Sequence, residues 1–382
     1  MRPWSVYVHF PYCLHRCAYC DFATTVALSP PREAYRDAIL RELEMRTRDL
    51  PRREIATVFF GGGTPSLWGP SHVGVVLRWL DRWGGLAADA EVTLEANPGA
   101  LESGDLADYA AAGVTRVSEG VQALADERLR ALDRMHDVEA ARATLAELAR
   151  LLEAGQLRSA NADLIYGGPG QDVALARADV EAVLGYGLPH LSAYALTVES
   201  GTPLAERVRR GLQAPPDEDL LTRALEAMPA WTAPYGLARY EVSNFARPGH
   251  ACRHNLAYWQ GHHYLAVGVG AHGFVPFEGA IGRRYGNTRD HRRWFQGIAE
   301  GEPAEDLQET IDADAHLMER LLTGLRLSTG VDLAALAAAV GQPRVAAVRT
   351  RAAQLMATGA PLTWQEDHLV VAADGVRQLD RL

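Results

Sequence analysis

Short apolar runs alternate with longer amphipathic segments over residues 5–231. Runs rich in β-branched and aromatic side chains predict six strands, at residues 5–10, 57–60, 91–95, 116–118, 161–165 and 190–196. Apolar positions at helical spacing predict six helices, at residues 31–49, 71–83, 103–112, 137–153, 173–185 and 217–231. Ser71 and Ser103 are expected to cap the second and third of these helices, and Gly113 to end the third.

This alternation predicts an α/β fold with a parallel sheet. Parallel strands need crossover connections, and six strand-then-helix units supply them over residues 1–235. We therefore expect a closed or partial TIM-like (β/α)6 barrel. Chemistry in such barrels gathers on the loops after the carboxyl ends of the strands, which is where the unusual residues of this chain fall.

Two further parts follow the predicted barrel. Residues 236–305 break into short segments rich in Gly, His and aromatic side chains. Residues 306–382 show three helices, near 312–326, 332–340 and 344–358, and then a hairpin around 362–371. This winged-helix-like order is typical of DNA-binding domains, but the segment holds seven Arg against ten Asp and Glu. We therefore expect a small α+β packing or lid domain.

Composition and charge exclude several classes of protein. The 382-residue chain has a net charge of −10, and all 38 of its cationic side chains are Arg. A net-acidic chain lacks the electrostatic footprint of a general nucleic-acid binder. The amino-terminal residues have no charged region followed by a long apolar run, and no window reaches the ~18 apolar residues of a membrane span. We expect a cytoplasmic protein.

The four cysteines divide into a cluster of three and a solitary one. Cys13, Cys17 and Cys20 form a C-x3-C-x2-C run after the first predicted strand, and Cys252 lies far along the chain. Closely spaced thiolates on a loop are typical ligands of an iron–sulfur cluster, and three of them leave one iron of a four-iron cluster open. The alternatives are three buried cysteines or a zinc site with His15 as a fourth ligand.

A glycine-rich segment follows the second predicted strand. Glycines at residues 61–63 allow backbone amides to approach a ligand closely, and Thr64 adds a hydroxyl. A triple glycine by itself is more often a turn than a binding site. Its position after a strand, beside the cysteine loop, favours a binding role.

The cysteine spacing and the glycine segment together resemble those of the radical SAM superfamily. The resemblance implies a partial barrel in which Cys13, Cys17 and Cys20 hold a [4Fe-4S] cluster. It implies that S-adenosylmethionine binds the open iron through its amine and carboxylate. An electron from the cluster would then cleave the sulfonium to a 5′-deoxyadenosyl radical.

Further segments narrow the resemblance to the oxygen-independent coproporphyrinogen III oxidase group, from about residue 5 to the carboxyl terminus. These segments are residues 7–13, 61–66, 95–98, 120–122, 163–171 and 199–204. The oxidases carry another cysteine two positions after the third, where this chain has Phe22. Their heme-chaperone relatives, the HemW family, carry His-Asn-x-x-Tyr-Trp, which is complete here at residues 254–259. The chain therefore resembles the HemW family.

The resemblance implies a set of S-adenosylmethionine contacts. The matching positions are Tyr7, Gly62, Gly63, Thr64, Glu95, Gln122, Arg134, Asp163 and Ala195, and Tyr19 is expected to shape the same cavity. Glu95 and Asp163 suit ribose hydroxyls, and Gln122 and Arg134 suit polar groups of the cofactor. Taken singly, each of these residues is as typical of a structural hydrogen bond or salt bridge as of a cofactor contact. Glu119 stands where relatives usually have an apolar residue, so its carboxylate either faces solvent or alters a second ligand site.

The His-Asn-x-x-Tyr-Trp motif implies heme contact by His254, Asn255, Tyr258 and Trp259. Imidazole is a common axial ligand of heme iron, and aromatic rings offer a flat apolar surface to a porphyrin. Cys252 is a further candidate ligand. Without the resemblance, the residues of this motif favour a structural role, with the aromatic rings in the core and the histidines hydrogen-bonded.

The resemblance implies a heme chaperone that binds the cluster, S-adenosylmethionine and heme. Its expected partners are recipient respiratory hemoproteins, reached by transient membrane contact, and an electron donor for the cluster. The alternative is an enzyme, either a coproporphyrinogen III oxidase or a radical C-methyltransferase, because the barrel motifs fit both. No nucleic-acid partner is expected, and a homodimer is compatible with the sequence.

Overall fold

A twelve-stranded sheet lies at the centre of the computed structural model, which describes residues 2–99 and 101–381. The strands of the described residues are β1 (Trp4–Phe10), β2 (Tyr12–Cys13), β3 (Thr25–Val26), β4 (Ile55–Gly62), β5 (Leu86–Ala96), β6 (Arg116–Gln122), β7 (Ser159–Tyr166), β8 (His190–Ala195), β9 (Ala238–Arg239), β10 (Asn244–Ala246), β11 (Tyr264–Val267), β12 (His272–Val275), β13 (Gly282–Asn287), β14 (Glu305–Ile311), β15 (Val331–Asp332), β16 (Leu362–Gln365) and β17 (His368–Val371).

Helices connect most of these strands. They are α1 (Arg32–Thr47), α2 (Pro70–Gly84), α3 (Leu106–Ala111), α4 (Asp126–Ala131), α5 (Val138–Glu153), α6 (Val173–Leu184), α7 (Pro203–Arg209), α8 (Glu218–Thr232), α9 (Arg253–Trp259), α10 (His291–Glu300), α11 (Ala313–Gly324), α12 (Leu333–Val340) and α13 (Gln342–Ala357). Short 3-10 segments span Pro65–Leu67, Ala233–Tyr235 and Ala373–Arg381. Within the described residues, no helix combines the length and the apolar character that crossing a bilayer requires.

The six predicted strand-then-helix units form the middle of the sheet. Strands β1, β4, β5, β6, β7 and β8 are neighbours in that order and run parallel. Strand β11 pairs parallel to β1, and β12, β13 and β14 continue antiparallel beyond it. Strands β10 and β9 extend the other edge antiparallel to β8. The two edges do not pair, so the prediction of a partial (β/α)6 barrel is confirmed.

The predicted helix ends are partly wrong. Helix α2 begins at Pro70 after Gly69, so Ser71 does not cap it. The cap of α3 is Asp105 rather than Ser103, because the Asp105 carboxylate accepts hydrogen bonds from the backbone amides of Ala107 and Asp108. Gly113 follows Ala112, the C-cap of α3, with φ +111°, which confirms its role in ending that helix.

The segment at residues 236–305 continues the same sheet rather than standing apart from it. It supplies β9 and β10 to one edge and β11, β12 and β13 to the other. Strand β14 crosses the expected boundary at residue 305 and pairs with β13. Helix α9 lies against the inner face of the barrel, where the His254 ring is 5.2 Å from the ring of Phe59 on β4.

The carboxyl-terminal part has its own small core. Helices α11, α12 and α13 are followed by the hairpin of β16 and β17, and β15 completes a three-stranded sheet. Val331, Leu333, Leu336 and Leu369 are buried in this core. The observed order of three helices and a hairpin agrees with the predicted winged-helix-like arrangement.

Strand alternation sends different side chains to the two faces of the barrel sheet. On β1, Val6, Val8 and Phe10 are fully buried against the surrounding helices. The intervening residues Ser5, Tyr7 and His9 point to the inner face. The core therefore lies between sheet and helices, and the inner face is left free for polar side chains.

Candidate functional site

The three clustered cysteines lie on the loop that follows β1. Cys13 ends the short strand β2, and the Cys20 backbone amide donates to the Cys17 carbonyl at 3.2 Å, which turns the chain between these two residues. Cys13 is buried and the other two are half-buried. All three thiols line one cavity of about 130 Å³, which we name the cysteine cavity.

Burial disfavours the thiolate form of two of the three clustered cysteines. Burial raises the pKa of the Cys13 thiol to about 12, against a lowering hydrogen bond from Thr64, and burial also raises the pKa of Cys20. The guanidinium of Arg134 donates to the Cys17 sulfur at 3.5 Å and to the Tyr19 hydroxyl at 3.4 Å. Binding of a metal to this loop would therefore release protons, because the ligands must be thiolates.

The donor set fits an iron–sulfur cluster. Within residues 2–99 and 101–381, no three His, Cys, Asp or Glu side chains surround the position of a single metal ion. A four-iron cluster does not require such a convergence, because it takes its thiolates at separate irons. Three thiols that share one cavity are therefore suited to a cluster, and His15 lines the same cavity.

The glycine segment passes directly over the cysteine loop. Gly63 N–H donates to the Phe10 carbonyl at 2.7 Å, and Thr64 N–H donates to the Tyr12 carbonyl at 2.9 Å. A Cβ atom on Gly63 would lie 2.6 Å from the Tyr12 carbonyl oxygen, and one on Gly62 would lie 2.5 Å from the His9 ring. Gly62 also has φ +117°. Only glycine fits this close approach of backbone to the site.

Two half-buried carboxyl residues, Glu95 and Asp163, line the same cavity. The Glu95 carboxylate accepts a hydrogen bond from Gly62 N–H at 3.0 Å. Asp163 accepts one from Asn161 at 2.7 Å and one from the Ser118 hydroxyl at 3.3 Å. Burial, and then the charge of Asp163, raises the pKa of Glu95 to about 8. Such paired acceptors suit the hydroxyl groups of a sugar.

Gln122 and Arg134 complete the wall of the cysteine cavity. Gln122 ends β6 with φ +64°, an uncommon conformation for this residue type. Arg134 donates to the Asn97 side chain at 2.6 Å and to the Gly120 carbonyl at 2.9 Å. Asn97, which sequence analysis did not select, therefore holds Arg134 in place.

A larger cavity of about 530 Å³, here the barrel cavity, adjoins the cysteine cavity. The two share Glu95, Gln122 and Asp163 among other residues. The predicted residues Tyr19, Ala195, Asn255 and Tyr258 also line the barrel cavity. Several other lining residues were not predicted as site residues, among them Phe22, Phe59, Arg116 and Tyr194. Inward alternation on the strands, or for Phe22 a place beside the third cysteine, is the signal that could have found these four.

Tyr7 and His254 line neither cavity. The Tyr7 hydroxyl is hydrogen-bonded to His9 Nδ1 at 2.9 Å, and its ring is stacked on that of Phe59 at 6.1 Å. His254 is hydrogen-bonded through Nδ1 to Thr57 Oγ1 and through Nε2 to the Tyr258 hydroxyl, both at 2.8 Å. Only 1% of His254 is exposed, and burial lowers its pKa to about 3. His254 is therefore a neutral ring behind Tyr258. Both of its nitrogens are hydrogen-bonded, so neither is available to ligate an iron in this structure.

Trp259 and Cys252 lie apart from the cysteine loop. Trp259 lines a separate cavity of about 360 Å³ together with Asn255 and Tyr258. The Cys252 thiol is fully buried and donates to the Glu91 carboxylate at 3.5 Å, and burial raises its pKa to about 12. The same carboxylate accepts the backbone N–H of Arg253 and of His254, both at 2.9 Å, and so holds the first turn of α9.

Glu119 does not face solvent, so that alternative is wrong. It is fully buried, and burial raises its pKa to about 8. Both of its carboxyl oxygens lack a hydrogen-bond partner among the described residues. It lines neither the cysteine cavity nor the barrel cavity, in keeping with its alternation with Ser118 and Gly120 on β6.

Comparison with known proteins gives concordant matches along the chain. Residues 7–183 match the radical SAM superfamily, and residues 311–377 match the HemN C-terminal domain. The heme chaperone HemW of Mycobacterium tuberculosis is 40% identical over 98% of this chain and 92% of its own length. The heme chaperone HemW of Escherichia coli is 38% identical over 78% of this chain and 77% of its own.

A solved structure supports the fold. The coproporphyrinogen III oxidase HemN of Escherichia coli, described as a radical SAM enzyme, superimposes with a TM-score of 0.82 at 22% identity. The match covers 99% of this chain and 89% of that enzyme. At this identity the likeness concerns the fold alone, and it extends from the barrel through the carboxyl-terminal helices.

Proposed function

This chain belongs to the HemW family of radical SAM heme chaperones, and on that premise we propose that it binds a [4Fe-4S] cluster, S-adenosylmethionine and heme, and delivers the heme to respiratory hemoproteins. One observation carries the proposal: the cysteine loop, the glycine segment and the carboxyl groups of Glu95 and Asp163 share one cavity. These are separate parts of the sequence, and a purely structural role does not require them to meet.

In this proposal the three cysteines hold the cluster. When bound, the cluster supplies a single electron to the ligand on its open iron. Arg134 lies against Cys17 and would offset the negative charge of the thiolates. Burial of Cys13 against Thr64 and the glycine segment would shield this thiolate from water.

The remaining residues of the site would orient S-adenosylmethionine. The close backbone approach at Gly62 and Gly63 suits the methionine end of the cofactor. Glu95 and Asp163 would accept hydrogen bonds from ribose hydroxyls, and a protonated Glu95 could also donate one. Tyr19, Gln122 and Ala195 would line the adenine side of the cavity.

The chaperone role, rather than oxidase chemistry, rests on the family and on position 22. The oxidases that this chain resembles carry a cysteine there, whereas Phe22 lines both the cysteine and the barrel cavity and is 62% exposed. In this proposal the protein works in the cytoplasm, receives electrons from a separate donor, and reaches membrane-bound recipients transiently.

One anaerobic experiment tests the carrier and the enzyme together. The reconstituted protein is titrated with heme, and the same sample is then assayed with reductant, S-adenosylmethionine and coproporphyrinogen III. We expect saturable heme binding and no protoporphyrinogen. Cys17→Ala should lose the cluster absorbance, whereas Cys252→Ala should keep it. Absence of heme binding, or stoichiometric 5′-deoxyadenosine with protoporphyrinogen formation, would refute the proposal.

A further inference from the structure

A buried arginine inside the barrel has no partner among the described residues. Arg116 begins β6 and is 3% exposed. Within residues 2–99 and 101–381, its guanidinium forms no ion pair and donates no hydrogen bond. By contrast, the buried Arg128 contacts both carboxylate oxygens of Asp179 at 2.8 Å. Burial of an unpaired cation is costly, which indicates that Arg116 pairs with a group from outside the chain.

The acidic side chains around Arg116 are protonated or engaged elsewhere. Burial acts to lower the pKa of Arg116, and four groups raise it: Cys252, Glu91, Tyr240 and Asp163. Burial raises the pKa of Cys252 and of Tyr240, so both are uncharged at neutral pH. Glu91 accepts two backbone amides at the start of α9, and Asp163 accepts hydrogen bonds from its neighbours on the inner face. The guanidinium is therefore charged, and neither carboxylate contacts it.

Arg116 lies at the base of the barrel cavity, meaning the part nearest the start of the parallel strands. It lines that cavity, and strand alternation points its side chain to the same inner face as Ser118. The register places Ser118 beside Glu95 on β5 and beside Asn161 on β7. Arg116 is thus two residues, or about 7 Å of strand, below the level of Glu95. It lies deeper in the barrel than the carboxyl groups proposed to hold the cofactor ribose.

The terminal nitrogens of Arg116 are available to a ligand. Its Nε atom is enclosed without a partner. In the described part of the chain the two Nη atoms also make no hydrogen bond, but they keep some accessible surface. Two parallel N–H groups at this edge of a guanidinium match the two oxygens of a carboxylate.

The rest of the barrel cavity favours a ligand with an apolar body and one negative charge. Apolar surface comes from Phe59, Ile165 and Leu196. The acidic residues Glu95 and Asp163 lie higher in the cavity and disfavour a second anionic group there. The volume of about 530 Å³ is within the range of roughly 300–1,000 Å³ that small-molecule sites occupy.

We propose that the base of the barrel cavity binds the carboxylate of a small organic acid through Arg116, with the apolar body of the acid extending towards the carboxyl ends of the strands. This inference goes beyond the proposed function, because neither the cluster, S-adenosylmethionine nor heme is assigned to Arg116. The barrel and cysteine cavities share Glu95, Gln122 and Asp163. The bound acid would therefore lie beside the cofactor, and this last statement alone rests on the proposed function.

Calorimetric titration of the full-length reconstituted protein tests the site. The probes are hexanoate, its neutral analogue hexanamide, and inorganic phosphate. We expect saturable binding of hexanoate and binding of the other two at least about tenfold weaker, corresponding to about 1.4 kcal/mol. Arg116→Gln should weaken hexanoate by a similar factor. Arg116→Lys should recover part of the loss, because an ammonium keeps the charge but not the paired N–H groups.

Urea unfolding separates a ligand site from a structural role. Arg116→Gln should unfold at the same urea concentration as the wild type or a higher one, because it removes a buried cation without a partner. Hexanoate should raise the midpoint of the wild type and not that of Arg116→Gln. Arg209→Gln, on the exposed face of α7, is the matched control and should behave as the wild type in both measurements.

Several results would overturn the assignment. It is wrong if the wild type binds no hexanoate, if hexanamide or phosphate binds as tightly, or if Arg116→Gln binds hexanoate as the wild type does. Displacement of hexanoate by S-adenosylmethionine would place Arg116 in the cofactor site and would also overturn it. A marked loss of stability in Arg116→Gln would show that Arg116 is structural. No readout involves heme, so failure of the chaperone proposal remains distinguishable from failure of this one.

Discussion

Replacement of Glu95 by Gln tests the electrostatics of the candidate S-adenosylmethionine site. Glu95 is half-buried on β5, and its carboxyl group accepts Gly62 N–H at 3.0 Å and lies near Asp163. Gln keeps a carbonyl oxygen that can accept the same hydrogen bond, and its shape is nearly identical. The substitution therefore removes the ionisable group and leaves the packing in place.

The direction of the effect follows from the raised pKa of Glu95. Its pKa rises from 4.5 to about 8 on folding, through burial and then the charge of Asp163. The folded protein thus holds a proton that the unfolded chain releases between these two values, and stability falls as pH rises through this window. At pH 7 the cost to the wild type is about 3 kcal/mol, at about 1.4 kcal/mol for each pH unit above the unfolded pKa.

Urea unfolding of the cluster-free protein at about pH 5 and about pH 7.5 measures this cost as a difference between variants. Glu95→Gln should be more stable than the wild type by about 4 kcal/mol at the higher pH and by less than about 1 kcal/mol at the lower. Glu302→Gln, at an exposed carboxyl group, should show no such difference. A stability difference that is the same at both pH values would show that Glu95 ionises normally in the folded protein.

Three other substitutions test particular contacts. Gly62→Ala should reduce S-adenosylmethionine binding and lower the unfolding free energy by more than about 1 kcal/mol. The reason is that the new Cβ lies 2.5 Å from the His9 ring at a residue with positive φ. Equilibrium dialysis measures the binding, and urea unfolding measures the stability. Arg128→Met should cost about 3–5 kcal/mol in urea unfolding, since it leaves the Asp179 carboxylate buried without the guanidinium that now contacts both of its oxygens at 2.8 Å; a loss below about 1 kcal/mol would contradict this. Glu119→Leu should raise the unfolding free energy by about 1–3 kcal/mol, because it removes a buried carboxyl group without partners, and a thermal melt that shifts downward would contradict it.

Much of the barrel was predictable because its signals are local. Each strand-then-helix unit shows its own periodicity within roughly 25 to 45 residues. The helix ends were less predictable, since a cap depends on which of several nearby polar residues reaches the free backbone amides of the first turn. Asp105 does so where Ser103 was expected. The short helices α4 and α7 were missed because six or seven residues carry too little periodicity.

The sequence by itself determined the order of the strand-then-helix units, the cysteine loop and the family resemblance, because each depends on residues that are close together in the chain. Only the tertiary structure decided which side chains share a cavity and which have their polar atoms already hydrogen-bonded to other residues. His254 is hydrogen-bonded to Thr57, a residue 197 positions away, and so is not free for a ligand. A cavity of about 510 Å³ where the parallel strands begin likewise joins Arg2, Arg53 and His316, which no local pattern connects. A buried group's partners, and hence its charge and availability, depend on contacts that form only when the whole chain packs.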